Sequence, residues 1–435
     1  MAHATRSLES RTNNRDGRRQ RLAMDRTRAS GRTRSAAAAH SCVAVTAASS
    51  HHRRTITAVN GSRAADIWLW FALVLPSSFI VHKYGGWGVL LAYAIIVAAI
   101  LPFKRRLFSR LHDRWMLSLA ALAAAAVVAA FVILYPVANT HQPGAGSDDD
   151  DAINAGTSAL LAGRFPYTAT TYLGNAVHQL PGTLILASPF VLLGTSALQN
   201  LFWIPLFFLA VNAEAGRRAT VELLWTALAL SPAIMWEVVT GTGYVSNTVT
   251  VLLALWVLIR TRRRGLAALG FGLALASRAN FVFLTPLAFG YLRQHAGTRE
   301  AWRATALTIA TVAGLTLPFY LYDPRHFTPL EGADRLLVFD GMLPHLGAGL
   351  IVAMAVLGVA LASRPMDSVA LFRRAALLQL FPIAAGLLLS SVRDREVNLV
   401  YARYGAFFAW FAFLAAEGRD TMSATPQCPR QLSGD

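Results

Sequence analysis

The sequence predicts an all-α polytopic membrane protein with about twelve transmembrane helices and an interfacial helix in the first large outer loop. Three observations carry that reading. Hydrophobic residues fill 55% of the 435 positions and charged residues only 14%, where a soluble chain carries about 25% charge. Apolar runs long enough to cross a bilayer recur, as in WMLSLAALAAAAVVAAFVILYPVA (115–138) and LGAGLIVAMAVLGVALA (346–362). Basic residues sit in short loops between such runs, as KRRLFSRLHDR, GRR, RTRRR, SRP and FRR. That is the positive-inside arrangement and not the continuous basic face of a nucleic-acid binder, so no nucleic-acid partner is expected.

Up to Arg63, thirteen arginines stand against Glu9, Asp16 and Asp25, a balance of +10 within a chain total of +17. With almost no large apolar residue before Ile67, segment 1–65 reads as a disordered basic tail suited to anionic lipid. No apolar core of a cleavable signal peptide precedes the first full span, and Met24 offers a second start. The membrane domain is expected over 66–416, followed by a short cytoplasmic tail over 417–435. Cys42 and Cys428, one in each tail, support neither a disulfide framework nor a thiolate metal site.

Spans are expected at 66–83, 86–102, 115–138, 181–213, 219–239, 243–260, 265–277, 279–291, 304–322, 345–362, 375–391 and 401–416. A cytoplasmic tail makes Lys104–Arg114 cytoplasmic again, so the third span delivers GSDDDD (146–151) to the outer side. Region 181–213 is broken by Pro189 and Gly194 and is long enough for one crossing or two. One crossing keeps both GRR (216–218) and RTRRR (260–264) inside and is therefore preferred. The stretch 265–292 splits at Ser277-Arg278-Ala279-Asn280 into two short helices that meet outside. Glu237 with TGTGY, Arg278, the loop 322–345 and RDREVN (393–398) then share the side of the aspartates. Charges at span ends are costly and mark function, so chemistry is expected at this outer face. The chain has no phosphate-cradling glycine loop or nucleotide fingerprint, which argues against ATP or a soluble nucleotide sugar. It shows no internal repeat either, which weakens an inverted-repeat transporter.

Asp148–Asp151 have a bland reading as the capped start of a helix near Ala152, with Ser147 or Asp148 as N-cap. Capping needs one or two acids, not four, which leaves a catalytic or binding carboxylate. Contiguous aspartates do not form an alternating calcium loop. Ile153, Leu160 and Leu161 give the helix an apolar side, so it is expected to lie at the interface.

The stretch that follows carries a resemblance. DDAINAGTSALLAGRFPY and then TYLGNAVHQLPGTLILASPFVLLG resemble the first outer loop of GT-C glycosyltransferases, integral membrane enzymes that use polyprenyl-phosphate-linked sugars. The matching elements are Leu160-Leu161, Gly163, Pro166-Tyr167 and Pro181 through Gly194, within about 50 residues. The chain departs from the simplest plan of that family in the hairpin at 66–102 and in lacking a large C-terminal outer domain.

The resemblance implies inverting transfer of a sugar, mannose among the candidates, from a polyprenyl-phosphate donor to a glycan or lipid acceptor at the outer face of the cell membrane. It places the catalytic base among Asp149, Asp150 and Asp151, with Asp150 or Asp151 preferred. Arg278 and the Arg393/Arg395 pair are candidate phosphate partners, because guanidinium matches phosphate oxygens. Their alternatives are a pairing of Arg278 with Glu237 and solvation of Arg393 and Arg395 beside Asp394. Tyr167, His178 and Glu237 are further candidates for substrate contact, and Arg403-Tyr404 resembles an RY element or serves as an interfacial anchor. No metal ligand set follows from His326 and His345. No cofactor is implied, and assistance by a divalent cation stays open. The rival reading is a transporter or flippase for a lipid-linked or small polar substrate, which would line a path through the membrane with polar residues.

Overall fold

The structure, a computed structural model, describes residues 65–142, 146–330 and 336–422. The expectations for the basic tail, for Cys42 and for Cys428 fall outside these residues. Within them the protein is helical, and the only β-type contact is one bridge between Thr170 and Ala176.

The first helix, α1 (Ala65–Arg110), is continuous in hydrogen bonding, yet Gly86 takes φ +70° in its middle. Trp70 donates its indole N–H to the Ala94 carbonyl at 2.9 Å, and the Tyr93 hydroxyl donates to Leu73 O at 3.1 Å. A straight helix would hold the first pair about 36 Å apart at 1.5 Å per residue. The element is therefore the expected hairpin, with a left-handed glycine at its turn. α2 (Asp113–Ala138) runs from the arginine-rich loop toward the aspartates.

Next come α3 (Asp149–Leu161), α4 (Pro181–Leu192), α5 (Leu198–Leu230), α6 (Pro232–Thr240), α7 (Gly243–Arg260) and α8 (Arg264–Leu275). α4 does not leave the end of the bundle where α3 lies. Thr157 Oγ donates to Leu184 O and Ser196 Oγ to Asp150 O, so 184–196 runs back alongside α3. Only the stretch after Leu198 travels to the arginine end, which agrees with a single traverse in 181–213. α5 is itself two arms, because Gly216 is non-helical (φ 81°, ψ 169°). Asn200 Nδ2 reaches the carbonyls of Glu237 and Thr242, which ties the start of α5 to α6 and to the turn before α7. α6 bends by 80° from α5 at Ser231-Pro232, where Ser231 caps Ile234 N.

The remaining helices are α9 (Thr285–Ala296), α10 (Thr298–Tyr322), α11 (Leu346–Ser363), α12 (Ser368–Asp394) and α13 (Ala406–Met422). α13 supplies the centre of the core, with Phe407, Phe408, Trp410, Phe411 and Phe413 all buried. Trp410 meets Phe207 of α5 edge-on at 4.8 Å, an arrangement favoured by the ring quadrupoles. This helix runs to Met422, past the expected boundary at 416.

Charge separates the two ends of the bundle. At one end Arg218 pairs with Asp113 at 2.6 Å and Arg260 pairs with Glu214. There Lys104 sits 2.9 Å from Glu222 and 3.7 Å from Glu417, which ties the hairpin to α5 and α13. The aspartates, Glu237 and Arg278 lie at the other end. Among the described residues six helices are long and apolar enough to cross a membrane, or seven when α5 and α6 count as one bent span. The expected count of about twelve is finer than length and apolarity support. Two of the long elements are folded pairs, and α8 and α9 have only 12 residues each.

Candidate active site

α3 begins at Asp149, three residues earlier than expected, so the aspartates belong to the helix and do not merely precede it. Ser147 Oγ accepts from Asp149 N at 3.2 Å and closes the start of the helix. Successive side chains on a helix turn by about 100°, so four adjacent acids must find four environments. Asp148 binds the loop that leads into α4, accepting from Asn175 Nδ2 at 2.6 Å and Thr171 Oγ at 3.2 Å. Asp151 reaches outward to His141 Nε2 at 3.1 Å, and the His141 ring lies 5.2 Å from Tyr172. Burial raises the Asp151 carboxyl above the ordinary carboxylate range, although His141 opposes the shift.

Asp149 points inward. Its Oδ1 accepts from Arg278 and from Gln179 Nε2, each at 2.9 Å, and its Oδ2 accepts from Gly243 N at 2.8 Å. The ion pair is largely buried, with side-chain exposures of 16% for Arg278 and 12% for Asp149. Arg278 lies in the extended break between α8 and the short turn Ala279–Leu284, where the sequence splits the two helices. Its guanidinium stacks over Tyr244 at 4.7 Å and faces Phe407 at 5.8 Å, a cation–π geometry that gains from desolvation. Its buried Nε has no partner.

Asp150 differs from both neighbours. Only 2% of it is exposed. Oδ2 accepts from the Tyr135 hydroxyl at 2.9 Å, whereas Oδ1 is buried and unpartnered. Burial pushes its pKa up to about 7, the Tyr135 hydrogen bond pulls it down, and the charges of Asp151 and Asp149 raise it further. The packing that hides it depends on Gly241 at φ +70°. A Cβ there would lie 2.6 Å from Ala197 Cβ, 2.9 Å from the Tyr135 ring and 3.3 Å from Asp150 Cβ.

Glu237 is buried close to Asp149 and accepts from the backbone of Tyr244 and Val245 at the start of α7. It does not form the expected ion pair with Arg278, which Asp149 takes instead. One Glu237 oxygen, Oε2, is unpartnered. The Arg403-Tyr404 element joins this group. Arg403 Nη2 donates to the Tyr404 hydroxyl at 2.8 Å, and the Tyr404 ring lies 5.4 Å from Tyr244. Arg403 is within electrostatic reach of Asp149, and its buried Nε is also unpartnered. The site thus combines unmet cationic donors, on Arg278 and Arg403, with unmet acceptors on Asp150 and Glu237. That inventory matches an anionic group bound beside a hydroxyl.

Four candidates lie elsewhere. Tyr167 is buried among Phe165, Phe319 and Phe327 and serves packing. His178 Nδ1 meets Thr328 O at 3.2 Å, which ties the approach to α4 to the loop after α10. Arg393 is held by Asp394 at 2.7 Å, and Arg395 is the left-handed C-cap of α12. No contact joins either arginine to Asp149 or Arg278. His326 pairs with Asp323 at 2.7 Å, and His345 precedes α11 in a left-handed conformation. Among the described residues no three His, Cys, Asp or Glu side chains are grouped to hold a metal ion. Conversely, sequence patterns did not identify Tyr135, Gln179 and Tyr244. These are ordinary polar residues at span ends, and only the fold brings them to the aspartates.

Compared with models of protein families, with curated proteins and with solved structures, the chain matches none.

Proposed function

We propose that the protein is a membrane glycosyltransferase of GT-C type. In this reading it moves a sugar, mannose among the candidates, from a polyprenyl-phosphate donor to a glycan or lipid acceptor. The chain crosses the membrane twelve times, with its N-terminus in the cytoplasm and the aspartates outside. Support for that count comes from the turns at Gly86 and Gly216 and from the short pair α8 and α9, which meet at Arg278. Support for the orientation comes from the arginines gathered at the opposite end.

One observation carries the catalytic reading. Next to the ion-paired Asp149, Asp150 keeps one buried oxygen free and titrates near neutrality. A general base works best with a pKa near the working pH. In the reaction, Asp150 takes the proton of the acceptor hydroxyl as that oxygen bonds to the anomeric carbon. The bond from that carbon to the phosphate oxygen breaks, and its electron pair leaves with the polyprenyl phosphate. Arg278 and Arg403 offer Nε donors to the growing phosphate charge. Asp149 positions Arg278, and Glu237 positions the start of α7. Because Asp150 is buried, the α3–α4 layer must shift to admit the acceptor.

The rival transporter needs a polar path. Buried polar side chains on α7 stop at Thr250, and Leu252, Leu255 and Leu258 continue the buried face toward the arginine end. That apolar plug favours chemistry at one end over passage. The test is transfer by purified protein in nanodiscs, with radiolabelled polyprenyl-phosphate mannose or glucose and an envelope extract as acceptor. Transfer lost in Asp150→Asn, with folding intact, supports the reading. Substrate crossing sealed vesicles without transfer, unchanged by that substitution, overturns it.

A further inference from the structure

A cavity lies apart from the aspartates. It is a groove of about 710 Å³ in the flank of the bundle. α7 forms its floor through Leu253 and Trp256, α5 one wall through Trp203 and Leu206, and α8 the other through Gly270. Almost every lining atom is carbon-bearing side chain, so water gains nothing there and a hydrocarbon chain does. The polar residues at its lower mouth are Thr261 and Arg263, within the RTRRR loop at the arginine end of the bundle.

The charges around that mouth are uneven. Glu214 is the acid there, and it is already engaged by the Trp256 indole at 2.7 Å and by Arg260. Arg262 and Arg263 are exposed, and among the described residues neither has a carboxylate partner. An apolar trough ending at unneutralised guanidinium groups is complementary to one kind of molecule: a chain-bearing lipid with an anionic head.

We propose that this groove is a binding site for an anionic phospholipid from the leaflet at the arginine end. One acyl chain lies between α5 and α8 over α7, and the phosphate is held by Arg263. Basic residues between membrane helices recognise such headgroups, and one Arg near the surface contributes about 1 kcal/mol. The site is separate from the transfer chemistry, since no hydrogen bond, ion pair or ring contact joins a lining residue of the groove to Asp149, Asp150 or Arg278.

Native mass spectrometry of the purified full chain tests this, titrating phosphatidylglycerol and phosphatidylcholine side by side. Two variants separate head from chain. Arg263→Gln removes the guanidinium, and Gly270→Leu puts an apolar side chain into the groove at a position where a Cβ meets nothing within 4 Å. The expected result is preferential retention of phosphatidylglycerol. Arg263→Gln weakens that binding about fivefold and weakens phosphatidylcholine less, because the choline cation already neutralises its phosphate. Gly270→Leu weakens both lipids, while thermal unfolding in detergent confirms that both variants fold. Equal binding of the two lipids, insensitive to Arg263, overturns the proposal in favour of ordinary surrounding lipid. If polyprenyl phosphate binding is lost in Gly270→Leu while phosphatidylglycerol binding is not, the groove belongs to a substrate chain and the proposal also fails.

Discussion

Asp149 and Arg278, 129 residues apart, close a buried ion pair of 2.9 Å that joins the start of α3 to the break between α8 and α9. Removing one partner strands the other charge, which costs about 3–5 kcal/mol in a buried pair. Asp149→Ala should therefore lower thermal stability in detergent more than Asp149→Ala combined with Arg278→Met. A double change as damaging as the sum of the single changes would show that the two side chains do not interact.

Gly241 and Gly86 share φ +70° but not their surroundings. A Cβ at Gly86 meets nothing within 4 Å, so Gly86→Ala carries only the backbone cost of about 1–2 kcal/mol. At Gly241 the same change also collides with Ala197 and Tyr135 and presses on Asp150. Gly241→Ala should lose more stability in thermal melts and should also lose transfer activity, whereas Gly86→Ala should keep its activity.

The stability of the protein should itself depend on Asp150. Its folded pKa, about 7, lies above the ordinary value of 3.8, so the folded state holds the proton more tightly than the unfolded state. Stability from this group is full below the ordinary value and is lost as pH rises toward 7. Melts of wild type between these limits should fall with pH relative to Asp150→Asn. Parallel pH profiles for the two proteins would mean that Asp150 is not shifted.

Much of this architecture was legible in the sequence because hydrophobic length and arginine placement are local signals. The hairpin around Gly86, the single traverse after α4 and the split at Arg278 were all readable in that way. The role of each aspartate was not. What distinguishes Asp149 from Asp150 is the partner each meets, Arg278 and Gly243 for one and Tyr135 for the other, and long-range packing chooses those partners. For the same reason Arg393 and Arg395, similar to Arg278 in sequence context, end in the solvent-facing corner after α12. Arg403 reaches the site because the short turn Val400–Gly405 sets Tyr404 against Tyr244 and Arg403 over the Tyr404 ring.

The same neighbours give the base assignment its sharpest test, because they act on Asp150 in opposite directions. The Tyr135 hydroxyl stabilises the ionised carboxylate, so Tyr135→Phe should raise the Asp150 pKa. The Asp151 charge destabilises that form, so Asp151→Asn should lower it. If Asp150 is the base, activity rises with pH as it deprotonates. The rising limb near pH 7 should then move to higher pH in Tyr135→Phe and to lower pH in Asp151→Asn. The two shifts oppose each other, so a general loss of folding cannot imitate the pair. If Asp151 were the base instead, Asp151→Asn would abolish the activity outright, and the profile of kcat/KM against pH separates the two assignments in one experiment.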